Sequence, residues 1–146
     1  MFQTEAEVMA HFPKTLRQKI EVIPRFRPEE LPSLLAPCSV GIFPSYIEGM
    51  PFGVLEMLAA SVPAIAYDSP GPPMMLPQEY LAPRGDAKTM SNKVSHLLTH
   101  PAKLLAARKW AQGQSRLFSW EQIARTTAST YTERLEEKRE ITSANR

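Results

Sequence analysis

The sequence predicts an α/β fold, a Rossmann-like parallel sheet with helices on both faces. Three observations carry this. Short apolar runs alternate along the chain with segments of helical spacing. The runs are nearly continuous in apolar residues, as strands buried on both faces require. Prolines stop or precede them at Pro24, Pro44, Pro63 and Pro83, where a missing N–H removes no central ladder bond.

The elements follow in order. Thr4 with Glu7 makes a capping box, and Val8, Met9 and Phe12 continue at helical spacing, so a short helix is expected from Thr4 to Phe12. Ile20-Glu21-Val22-Ile23 is β-branched and ends at Pro24: a strand. Pro28 suits the first turn of a helix, with Leu31, Leu34 and Leu35 as its apolar stripe. Ser39 to Phe43 is a second strand. A loop, Ser45 to Pro51, leads into a helix from about Phe52. Ala64 to Tyr67 is a third strand, Asp68 to Pro73 a loop, and Tyr80 to Ala82 a short fourth strand. Asp86 caps a helix reaching about His100. Pro101 starts another, to about Leu117. Ser119 with Gln122 caps a last helix from Trp120 to about Glu140.

Composition narrows the function. With 43% hydrophobic and 22% charged residues, the 146-residue chain has the make-up of an ordinary globular domain. A formal charge of only +2 gives no electrostatic footprint for nucleic acid. Cys38 is the one cysteine, so no intrachain disulfide forms. No apolar run approaches the ~20 residues of a spanning helix, and residues 1–5 have no signal-peptide pattern. The expected location is cytoplasmic, with peripheral attachment to the inner face of a membrane left open. His11, His96 and His100 form no ligand set with a carboxylate, so no metal site is expected.

The chemistry concentrates in the loop after the second strand. Ligands of open α/β sheets bind beyond the carboxyl ends of the strands. Gly49 and Gly53 allow close approach to the backbone, and the amides of Met50 to Val54 lie at a helix N-terminus, a ready anion site. Glu48 and Glu56 flank that segment, and carboxylates accept hydrogen bonds from hydroxyls. A central diphosphate with a hydroxyl-rich group at each end matches this order. A nucleotide sugar has that anatomy.

The run Phe43-Pro44-Ser45-Tyr46-Ile47-Glu48-Gly49-Met50-Pro51-Phe52-Gly53-Val54-Leu55-Glu56, continued through Ala59-Ala60 to Val62-Pro63, resembles the donor-site signature of retaining glycosyltransferases of family 4, also called group 1. Val22 to Phe26, Tyr67 to Pro72 and Phe118-Ser119-Trp120 resemble flanking segments of that family, over about residues 8–131. The resemblance implies the C-terminal, donor-binding half of a two-domain GT-B fold. It implies that Glu48, the catalytic-site candidate, meets donor-sugar hydroxyls and that Glu56 holds the ribose. Ser45 and the amides from Gly49 through Met50, Pro51, Phe52 and Gly53 to Val54 would line the sugar and phosphates. Arg25 would lie near the base. The donor is a UDP-, GDP- or ADP-sugar, with no separate cofactor.

Departures from the family pattern shape the expectation. Ser61 stands where the family has Gly, Met50 where it has Phe or Tyr, and Pro73-Met74 where many relatives have Pro-Arg or an acidic residue. The family's first strand and helix of this domain, its basic diphosphate-binding pair and its acceptor domain match nothing in these residues. Residues 1–118 are therefore expected to form an incomplete nucleotide-sugar-binding domain, 119–140 a closing helix and 141–146 a flexible tail. The isolated chain is expected to be inactive in transfer. Its partners would be the nucleotide sugar and either an N-terminal acceptor domain or another chain, including a second copy. The alternative is a non-catalytic module that binds a nucleotide sugar or a protein.

Overall fold

The computed structural model describes residues 4–144. It divides into two compact units, Met1–Pro37 and Cys38–Arg146.

In the first unit, Thr4 caps helix α1 (Glu5–Met9). The Glu7 N–H donates to Thr4 Oγ1 at 3.3 Å, and the Thr4 N–H donates to Glu7 Oε2 at 3.1 Å. Helix α2 (Lys14–Arg17) follows. The strand expected at Ile20 to Ile23 is not formed; the segment has no regular structure. Propensity alone does not make a strand, which needs a ladder partner. This run has none, and Ile23 is 42% exposed. Pro28–Glu30 is a 3₁₀ turn that leads into α3 (Leu31–Leu35). Glu30 accepts the Arg27 N–H at 2.8 Å and the Arg27 guanidinium at 2.9 and 3.1 Å. Those bonds, the backbone one first, hold its carboxyl below the usual range.

The second unit carries the sheet: β1 (Gly41–Phe43), β2 (Ala64–Asp68) and β3 (Leu81–Pro83), all parallel, in the order β1-β2-β3. Ile42 pairs with Ile65, and Tyr67 with Ala82. The central strand buries four of its five residues, Ala64 to Tyr67. Helix α4 (Phe52–Ala59) crosses from β1 to β2. It comes in close because the facing positions are small: an added Cβ on Gly53 would stand 3.1 Å from the Phe43 ring. Val54 and Leu58, four apart on α4, are both fully buried. Each such side chain contributes roughly 1.5–3 kcal/mol. Ile42, on the alternate face of β1, is 54% exposed, so cover on that face stops short of the edge strand.

Helix α5 (Ala87–Thr99) packs on β2 and β3, and α6 (Pro101–Ser115) bridges α4 and α5. The Arg108 guanidinium ties α6 to the Cys38 carbonyl at 3.0 Å. Helix α7 spans Trp120–Ala144. The Gln122 N–H donates to Ser119 Oγ at 3.2 Å, as expected at its start. Its end differs from expectation: residues 141–144, assigned to a flexible tail, are helical. The segment contains no Gly or Pro to stop it, and Arg134 pairs with Glu137 at 2.9 Å. The loop expected over Asp68 to Pro73 also tightens at its end, where Pro72–Met74 makes a 3₁₀ turn.

The end of α4 is strained. The Val62 N–H bonds to Met57 O at 2.8 Å and the Ser61 N–H to Leu58 O at 2.9 Å, the pair of bonds that closes a helix through a left-handed residue. That residue is Ser61, with φ 60°, the one positive-φ non-glycine among the described residues. The left-handed form costs an L-residue roughly 1–2 kcal/mol. Ser61→Gly should therefore raise the unfolding free energy by about 1 kcal/mol in urea titration.

Asp86 caps α5. Its carboxylate accepts from Thr89 Oγ1 at 2.6 Å and from the Thr89 N–H at 2.9 Å. These bonds, the hydroxyl first, lower its pKa. A lowered folded pKa gives stability that is present above the unfolded Asp value and lost as pH falls through the folded one. Asp86→Ala should lower the Tm at neutral pH, and the difference from the parent should close on acidification below the ordinary Asp range.

Candidate functional site

The loops that leave the three strands meet at the carboxyl end of the sheet. Ser45 follows β1. Its hydroxyl donates to Glu48 Oε1 at 2.6 Å and approaches Ile47 O at 3.3 Å. The loop after β2 holds this segment from the other side. The Ser69 hydroxyl donates to Ser45 O at 3.0 Å, and the Glu48 N–H donates to Pro70 O at 2.9 Å. Tyr46 packs edge-on against Tyr67, ring centres 5.6 Å apart. Its hydroxyl also reaches the turn after β3, lying 3.3 Å from where a Cβ on Gly85 would stand.

Gly71 is what lets the two loops touch. Its φ is 111°, and a Cβ built on it would fall 2.7 Å from Glu48 Cβ and 3.1 Å from Glu48 O. A side chain there would collide with Glu48 Cβ and press on its carbonyl. Glu48 is thus fixed by one hydroxyl, one carbonyl and a steric fit, with its carboxylate half-buried.

The residues from Gly49 to Val54 divide by role. Gly49 faces open space. Pro51 is fully buried and has no N–H to offer a ligand. Its carbonyl accepts from the Val54 N–H at 3.0 Å and the Leu55 N–H at 3.2 Å, while the Phe52 N–H bonds to Met50 O at 2.9 Å. An anion at this helix start would have to share the Phe52 and Val54 amides with those carbonyls. Val54 points its side chain into the core and Gly53 meets Phe43. Phe52 is 59% exposed, and no side chain caps α4. Glu56 stands exposed on α4, two residues from buried Val54 and two from buried Leu58. Arg25 belongs to the first unit and is exposed there.

Sequence reasoning missed Ser69, Pro70 and Gly71 as part of the site. The signal was present: a Pro-Gly-Pro run directly after a strand, next to the signature in the fold but not in the chain. Among the described residues no group of three or more His, Cys, Asp or Glu could hold a metal ion. No described helix is long and apolar enough to cross a membrane.

Comparison with known proteins agrees with this architecture. The family model described as glycosyl transferases group 1 matches residues 3–100, more than half of the chain. Among solved structures, sucrose-phosphate synthase from Thermosynechococcus elongatus superposes with a TM-score of 0.73 at 25% identity. The match covers 84% of this chain and 32% of that one, so the chain spans about a third of the solved relative. No curated protein matches the sequence.

Gly71→Ala should destabilise the fold by at least about 1 kcal/mol, from the left-handed backbone and the Glu48 contact together. Gly49→Ala, whose added Cβ meets nothing within 4 Å, should change stability far less. Equal midpoints in thermal unfolding would remove the clamp.

Proposed function

Because this chain belongs to the group 1 glycosyl transferases, we propose that it forms the donor-binding half of such an enzyme and holds a nucleotide-diphosphate sugar for retaining transfer of a hexose. The observation that carries the reading is the fixed position of Glu48. A half-buried loop carboxylate locked by Ser45, Pro70 and Gly71 is held in one direction, as recognition of a ligand requires. An ionised carboxylate offers only acceptors, so it suits sugar hydroxyls and rejects phosphate.

The diphosphate would lie at the start of α4, where the helix dipole favours developing negative charge. Gly49 and Met50 would approach it through the backbone, and Ser45 would keep Glu48 turned to the sugar. Glu56 would take the ribose hydroxyls. Pro51 and Val54 serve by placing the turn, as their burial requires. Arg25 is retained as the base-side candidate on the resemblance alone. The domain positions the donor, and acceptor binding with catalytic completion would come from a further domain or chain. No basic pair in the described site balances the diphosphate, which is why transfer by this chain alone is not expected.

A non-catalytic binding module is the rival. Strand β1 ends the sheet on one side among the described residues, and its Ile42 is exposed, which favours it, since an edge strand invites pairing with another chain. Saturation-transfer NMR with UDP-, GDP- and ADP-sugars separates the readings. One nucleotide sugar should bind, and Glu56→Ala should weaken it about tenfold, the worth of a hydrogen bond to a charged group. Binding unchanged by Glu56→Ala would remove the ribose role. No binding of any donor by the folded chain, together with a dimer in analytical ultracentrifugation, would favour the module.

A further inference from the structure

A cavity of about 680 Å³ opens between β2, α5 and α6. It lies toward the amino ends of β2 and β3, because its wall includes Ile65 near the start of β2 and Glu79 and Tyr80 just before β3. It shares no residue with the Ser45 to Glu56 segment. Its volume is that of a small-molecule site.

The wall has two chemistries. One side is aromatic and apolar: Tyr80 stacks on Trp110 with ring centres 4.7 Å apart and planes 21° from parallel, beside Ile65 and Leu97. Burial, the largest cause, raises the Tyr80 hydroxyl pKa, and the neighbouring Glu79 carboxylate raises it further. The other side is cationic through Lys93 on α5 and Lys103 on α6. His96, three residues from Lys93, shares its face, and the Lys103 charge lowers the His96 pKa. Lys103, from α6, donates to His96 Nε2 at 2.8 Å. Lys93 is anchored by Glu79 O at 2.8 Å and Gln78 O at 3.4 Å. An ammonium has three donors, so both lysines keep N–H groups to give. The one lining carboxylate, Glu79, leaves the lysines in excess.

We propose that this cavity is a binding site for a phosphate monoester with a flat apolar body, the body against the Tyr80–Trp110 pair and the phosphate at Lys93 and Lys103. A phosphate dianion answers the two ammonium groups, and its oxygens take the donors that the backbone and His96 leave over. The flat body answers the aromatic wall, which a sugar hydroxyl face would leave dry and unpaired. The site is independent of the donor loop and of its reading.

The probe is phenyl phosphate, titrated into the full chain carrying Trp120→Phe. Trp120 is 81% exposed, so this change spares the fold and leaves Trp110 as the sole indole. Phenyl phosphate should change Trp110 emission saturably, while phenol and inorganic phosphate each bind far more weakly. Lys103→Ala, at an exposed position, should weaken binding about tenfold. Ala106→Phe, which narrows the cavity from an exposed lining position, should abolish it. Three results overturn the proposal: no saturation with phenyl phosphate, inorganic phosphate binding equally well, or affinity unchanged in both variants.

Discussion

The second unit depends on how closely α4 approaches the β1–β2 ladder. Gly41, Ala64 and Ala66 present almost no side chain, and Gly53 lets the helix rest on the Phe43 ring. That fit fixes the start of α4 relative to the end of β1. The intervening eight residues, 44–51, then have little freedom, because both of their ends are set by packing. Core packing is effectively rigid at the scale of a methyl group, so a loop held this way inherits the precision of the sheet. The site is precise because the core beneath it is tight.

The loop after β2 completes the constraint. Glu48 would otherwise sit on a turn tip, where side chains are mobile. From the neighbouring strand, Pro70 O accepts the Glu48 N–H, Gly71 packs against Glu48, and the Ser69 hydroxyl holds the carbonyl of Ser45 at the start of the same loop. Parallel order makes this possible: adjacent strands end on the same side, so their loops are neighbours although 24 residues separate Ser45 from Ser69. Function at the carboxyl end of a parallel sheet is a consequence of that geometry.

Much of this was legible in the sequence, and the rest failed for identifiable reasons. Strands β1, β2 and β3 were found because proline and apolar runs mark them locally. The caps at Thr4, Asp86 and Ser119 were found because capping is a three-residue interaction. Ile20 to Ile23 read as a strand because propensity is local, whereas a strand's existence depends on a partner elsewhere. Helix α7 runs to Ala144, past the end expected near Glu140, because its last turns contain no Gly or Pro to stop them. The Ser61 departure from glycine was legible in the sequence, and its φ of 60° shows that the turn keeps the left-handed backbone at the cost of strain. The Glu48–Gly71 contact was out of reach, since no local pattern joins two loops across strands.

Helix α4 shows how one short element serves both the core and the site. Val54 and Leu58 stand four apart and point inward, fully buried. Glu56, midway between them, is turned about 200° from Val54 at 100° per residue and therefore outward. Its substitution removes no core contact, so a change in ligand affinity at that position cannot be traced to a weakened fold. Glu48 is the opposite case. It is bound to Ser45 and pressed by Gly71, so any change there alters loop and chemistry together. The two carboxylates that frame the signature thus differ in kind: substitution of Glu56 would test the proposed binding without disturbing the core, and substitution of Glu48 would test how the fold holds a carboxylate in place.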